Sequence, residues 1–95
     1  MIKYYVKFHF YNGIRNEFFM LEKETPKMLK LVKVLSKRVS GDCWEGTEIP
    51  TPEKSIDLHT SLIKNKYCYE QITIRKGNKE YSEWDGNPVR YDHLD

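Results

Sequence analysis

The side chains best able to do chemistry in this 95-residue chain are two cysteines, Cys43 and Cys68, and three histidines, His9, His59 and His93. Zinc takes thiolate and imidazole in a tetrahedron, and structural sites draw their ligands from closely spaced pairs. Cys43, His59, Cys68 and His93 stand far apart and form no such pair. A thiol nucleophile needs a base within hydrogen-bond reach and a group to orient that base. Cys43 beside Trp44 has neither in its flanking sequence.

His59-Thr60-Ser61 has the His-x-Ser form of one of the two elements that two-histidine phosphoesterases need. No second element follows, at His9 or at His93. No glycine-rich loop of the kind that cradles phosphates is present either. The expectation is therefore no catalytic residue, no metal and no cofactor. A small hydrolytic or nucleotide-acting enzyme using His59 or Cys43 is the third-ranked function class.

Composition bounds the rest. Hydrophobic residues make up 39% of the chain, aromatics 14% and charged residues 32%. That suits one small globular domain over residues 1–95, with a modest core. No apolar run approaches the ~20 residues of a membrane span, and no secretory leader is evident at the start. The chain reads as cytoplasmic, without a membrane partner, and its two cysteines read as free thiols.

The net charge of +2 conceals a division. From Met1 to Gly41 nine Lys or Arg face three acids, a net of +6, whereas from Asp42 to Asp95 seven face eleven, a net of −4. Either the two parts neutralise each other or one of them meets a charged partner.

The elements that would position these groups begin with a hairpin. Asn12-Gly13 joins two alternating runs, and a three-residue loop, Tyr11-Asn12-Gly13, pairs Val6 with Phe18 and Tyr4 with Met20. Even positions of the first strand then build core. Odd positions, Lys3, Tyr5, Lys7, His9 and Tyr11, form a basic and aromatic face. Thr25-Pro26 predicts a helix over 26–39, with Met28, Leu31, Val32, Leu35 and Val39 as its buried stripe and Gly41 as its stop. Residues 42–54 read as a connecting loop, 55–63 as a strand with a helix as the alternative, and 67–75 with 79–84 as a second hairpin. Residues 85–95 read as an extended tail. The expected fold is α+β, a small antiparallel sheet on one amphipathic helix in the order ββαβββ, with ββααββ second.

Three surfaces then remain as candidates. The helix would display Lys27, Lys30, Lys33, Lys37 and Arg38, and the sheet Lys3, Tyr5, Lys7 and His9, both suited to phosphates or an acidic protein. The acidic C-terminal part offers Glu80, Glu83, Trp84, Asp85, Tyr91 and Asp92 to a basic partner. The leading function is a small non-enzymatic interaction protein with a protein partner, of the type that phages and mobile elements use to inhibit a host nucleic-acid-handling complex, as anti-CRISPR inhibitors do. Direct RNA or DNA binding through 26–39 and the Lys3–Tyr11 strand is the alternative.

Overall fold

The structure, a computed structural model, describes residues 2–11 and 13–93. The first hairpin has the expected register. Strand β1 (Tyr4–His9) pairs with β2 (Gly13–Glu24) so that Tyr4 faces Met20, Val6 faces Phe18 and Lys7 faces Glu17. Gly13 has φ +112°, a backbone conformation open to glycine and strained for other residues. Asn12, the centre of the expected loop, lies outside the described residues.

The expected α+β fold on one amphipathic helix is overturned at residue 28. Met28–Gly41 is a fourteen-residue strand, β3, not a helix. Thr25 works as a hairpin residue instead of a helix cap. Its hydroxyl accepts from the Met28 N–H at 3.1 Å, and its own N–H reaches the Met28 carbonyl at 3.0 Å. The physical reason lies in burial on both faces. Leu29 and Leu31 pack on one side of the sheet and Val34 on the other, so their apolar run carries no clean period of two. Spaced by lysines, the run imitates helical spacing, while the β-branched Val32, Val34 and Val39 favour the strand.

The other expected elements shift accordingly. The expected loop at 42–54 is mostly strand β4 (Glu45–Lys54), which carries its two prolines at a break in pairing. Val34 lies opposite Lys54 but Ser36 opposite Pro50, so residues 51–53 bulge outward and need no ladder donor from Pro52. At 55–63 the helix given as the alternative to a strand is what forms, as α1 (Leu58–Lys64). Asp57 caps it, accepting from the Thr60 N–H at 3.1 Å and from the Thr60 hydroxyl at 2.8 Å. The expected second hairpin does not form. Strand β5 (Gln71–Arg75) pairs with β3, and β6 (Ser82–Glu83) pairs with β1. The order is ββββαβββ, so the alternative ββααββ is overturned as well.

Residues 89–93, expected as an extended tail, are extended as β7 (Val89–His93), but they sit inside the fold. β7 pairs with β4 along one edge and with Gly13 and Ile14 of β2 along the other. Because β2 also pairs with β3, and β3 with β4, the strands β2, β3, β4 and β7 close a four-stranded barrel, with β1, β5 and β6 outside it. Closure removes the free edges of these strands.

The β1–β2–β3 region is buried on both faces. On one, Tyr5, Phe19, Leu29, Leu31 and Ile74 pack together, with Tyr81 edge-on to Phe19 at 5.4 Å. On the other, Val6, Phe18 and Val34 pack under Trp84 and Val89. The segment linking β5 to β7 thus wraps both sides of the hairpin.

At the β3–β4 turn two glycines let the strands cross closely. A Cβ on Gly41 would lie 2.2 Å from the Glu45 carbonyl oxygen, and one on Gly46 would lie 2.1 Å from that of Ser40. Gly77 has a similar positive φ, but no atom would meet its Cβ within 4 Å. Gly41→Ala is therefore expected to cost about 3 kcal/mol, combining left-handed strain with overpacking. Gly77→Ala should cost only about 1 kcal/mol. Urea unfolding of both variants measures the difference, and equal costs would refute the close crossing.

Candidate interaction site

Of the cations expected on one helix face, Lys30, Lys33, Lys37 and Arg38 are strand residues. Lys30 and Lys33 are paired, Lys30 with Glu22 at 3.8 Å, and Lys33 with Glu17 at 3.3 Å and Glu70 at 3.8 Å. Lys37 and Arg38 lie further along β3, and Lys27 in the turn before it. The sheet candidates fare similarly. Lys3 meets Glu83 at 3.6 Å, Lys7 meets Glu80 at 3.8 Å, and the His9 imidazole is bonded to Glu17. Tyr5 is buried in the core and offers no surface. The Lys3–Glu83, Lys7–Glu80 and Lys33–Glu70 pairs draw the basic first part and the acidic last part of the chain together.

The acidic candidates are dispersed. Glu80 and Glu83 belong to the pairs just described. Trp84 lies edge-on to Tyr4 at 5.8 Å, and its indole N–H donates to the Asn87 carbonyl. Asp85 turns the chain by accepting from the Asn87 N–H at 2.9 Å, which holds its carboxyl below the usual carboxylate range. Tyr91 is buried and its hydroxyl donates to the Asp42 carbonyl, while Asp92 stands 3.6 Å from Arg90.

The sulfur and imidazole groups do not converge on a metal. Cys43 is in the β3–β4 turn, His59 on α1, Cys68 before β5 and His93 at the end of β7, and both cysteines are free thiols. Among the described residues no group of three or more His, Cys, Asp or Glu could hold a metal ion. His93 does approach the Cys43 carbonyl through Nδ1 at 3.2 Å, beside a cavity of about 340 Å³ that Arg38, Glu48 and Tyr91 help to line. Within the barrel one group from each strand meets. The Asn16 amide donates to Glu48 at 2.9 Å and to the Arg90 carbonyl at 2.9 Å, and the Ser36 hydroxyl donates to Glu48 at 2.6 Å. These bonds tie the ring together.

The feature that the sequence reading missed is the α1 excursion. Between β4 and β5 the chain leaves the sheet as two short extended arms, joined by an Ile56–Tyr69 bridge and an Asp57 N–H to Cys68 carbonyl bond of 2.8 Å. The helix sits at their end, and the Ser61 hydroxyl accepts from the Cys68 N–H at 2.8 Å. None of the helix residues is buried. Leu58, Leu62 and Ile63 are 71%, 81% and 70% exposed, and Tyr67 beyond the helix is exposed too. The signal was present in the sequence. Leu58 and Leu62 have helical i, i+4 spacing behind an aspartate cap, with the polar Thr60 and Lys64 on the opposite side of the helix.

Leu58, Leu62, Ile56 and Tyr67 line a shallow cleft of about 350 Å³, with Asn65 and Lys66 on its border. No helix among the described residues is long and apolar enough to cross a membrane.

One electrostatic consequence is measurable. Partial burial pushes the Glu17 carboxyl up, but the His9 hydrogen bond and the Lys33 charge outweigh it and hold the group below its ordinary value of 4.5. A carboxyl depressed on folding contributes stability that is full above its unfolded value and lost as pH falls through the folded one. The wild type should thus lose stability below about pH 4.5, and Glu17→Gln should flatten that acid limb in urea titrations from pH 3 to 7. An unchanged limb would mean that Glu17 is not coupled to these partners. Comparison with protein-family models, with curated proteins and with solved structures finds no match to this chain.

Proposed function

We propose that this chain is a non-enzymatic protein-binding module that engages its partner through the α1 tip. The observation that carries the reading is the helix that has no fully buried residue and displays Leu58, Leu62 and Ile63 to solvent. Keeping three large aliphatic side chains in water on an ordered, capped helix gives folding no return, and an exposed apolar patch of this kind marks a site of protein contact. Helices recognised in this way are read through apolar anchors at i and i+4. Such a tip is the part an inhibitor inserts into a groove of its target, and occlusion of a host complex is a use this module would serve.

Direct nucleic-acid binding has less support. Four of the cations assigned to it, Lys3, Lys7, Lys30 and Lys33, already face carboxylates of this chain, and Tyr5 is not available for stacking.

The test is a Leu58→Ser/Leu62→Ser variant, with Val39→Ser, an exposed β3 residue, as the control. Because Leu58 and Leu62 are 71% and 81% exposed, Tm should stay within about 3 °C of the wild type. Partner retained from lysate of the producing cells on immobilised protein should fall more than about tenfold for the helix variant and persist for the control. Retention by both would remove α1 as the site.

A further inference from the structure

We infer that the outer edge of β5 docks a second copy of this chain, whose own β5 adds antiparallel and joins the two sheets. This edge is separate from the α1 tip, and the inference does not rest on the reading above. β5 ends the seven-stranded sheet, and among the described residues only β3 pairs with it. The Lys33 N–H donates to the Glu70 carbonyl at 2.8 Å and the Lys76 N–H to the Lys27 carbonyl at 3.0 Å, while Ile72 and Ile74 lie opposite Leu31 and Leu29. The even-numbered residues thus turn their backbone groups to β3. Because these groups alternate in direction along a strand, Gln71 and Thr73 turn both N–H and C=O outward. At Arg75 the open run ends, since its carbonyl accepts from the Asn78 N–H at 3.2 Å where the chain turns.

Outward-facing backbone groups in a row are matched by another strand, and proteins shield such an edge with lysine, proline, a bulge or a very short strand. At the opposite end of the sheet β6 is two residues long. From Gln71 to Ile74, β5 has none of these devices. The stretch QITI carries no charge and no proline, its register with β3 runs without a bulge, and Gln71, Ile72 and Thr73 are exposed.

A second copy fits because the open groups complement themselves. Antiparallel pairing about Ile72 sets Gln71 of each copy against Thr73 of the other, and every outward N–H and C=O of these two residues is then bonded. Ile72, 37% exposed, meets its counterpart on the two-fold axis, at a non-hydrogen-bonded position where facing side chains come closest. Beyond them Glu70 faces Ile74 and Tyr69 faces Arg75, so no charge is set opposite one of its own sign. Each contact occurs twice, as an isologous interface requires. An edge this short buries less than the ~1,600 Å² of a standard interface, and the dimer is correspondingly weak and reversible. The α1 excursions precede β5 in the chain and leave at opposite ends of the joined strands.

The experiment measures sedimentation of the full chain from about 10 to 500 μM, a range that brackets a weak dimer, with amide hydrogen exchange of the ¹⁵N-labelled protein at both ends of it. Expected is a sedimentation coefficient that rises with concentration, and exchange at Gln71 and Thr73 that slows several-fold while Ile72 and Ile74, already bonded to β3, stay unchanged. Thr73→Pro removes an outward N–H and no bond to β3, a place where edge strands tolerate proline, and should abolish self-association. Ile72→Lys sets like charges face to face on the axis and should weaken it more than about tenfold. If the proline variant does not fold, the wild-type exchange and Ile72→Lys decide alone. A chain that stays monomeric throughout, with exchange at Gln71 and Thr73 independent of concentration, overturns the inference. So does a dimer that Ile72→Lys leaves intact, or one that Leu62→Ser dissociates, since its contact then lies elsewhere.

Discussion

Lys33 is where the sheet changes partners. Its N–H donates to the Glu70 carbonyl at 2.8 Å and its carbonyl accepts from the Ser55 N–H at 2.9 Å, so one residue binds the last arm of the β4 side and the first arm of the β5 side. A strand of fourteen residues must have its backbone groups satisfied along its whole length, and no single neighbour here is long enough on that edge. β5 covers residues 28 to 32 and β4 covers 34 to 41. Two strands that share one edge end to end leave the chain between them nowhere to go but outward. The α1 excursion is the result, and its two arms emerge side by side from the handover point.

The same residue shows how the charge division resolves. The Lys33 ammonium bridges Glu17 of β2 and Glu70 of the returning arm, and Lys3 and Lys7 meet Glu83 and Glu80 on the segment that wraps the hairpin. Each exposed pair contributes little, typically a few tenths of a kcal/mol, yet together they favour the wrapped arrangement over its alternatives. Of the two meanings that the +6 and −4 halves allow, mutual neutralisation is the one these contacts express. The excursion from Lys54 to Tyr69 carries three lysines and one acid of its own.

The legibility of the sequence followed the locality of the forces. The β1–β2 register was readable because it sets Val6 opposite Phe18 and Lys7 opposite Glu17, the arrangement found, although the even positions Phe8 and Phe10, expected in the core, are exposed. Val32, Val34 and Val39 spoke for a strand, but Leu31, Val32, Leu35 and Val39 also fit a helix, and only the core beneath Tyr81 on one face and the core beneath Trp84 on the other explain why both faces are apolar. That second layer is supplied from residues fifty or more positions away, by a segment with little local pattern. Pro50 and Pro52 hid β4, since the bulge that accommodates them exists only opposite β3. The candidate site was obscured by alternation. Ile56, Leu58, Thr60 and Leu62 alternate as a strand would, and the Asp57 cap decides otherwise.

Because the excursion is tied to the sheet only through its two arms, what happens at its tip is thermodynamically decoupled from the barrel. Closing the gap with a different insert of similar length would change the loop-closure entropy by only a few tenths of a kcal/mol. The barrel therefore acts as a chassis on which the contact element can vary in sequence, and mutational drift at Leu58, Leu62 or Tyr67 is filtered by what they touch outside the molecule instead of by the need to fold.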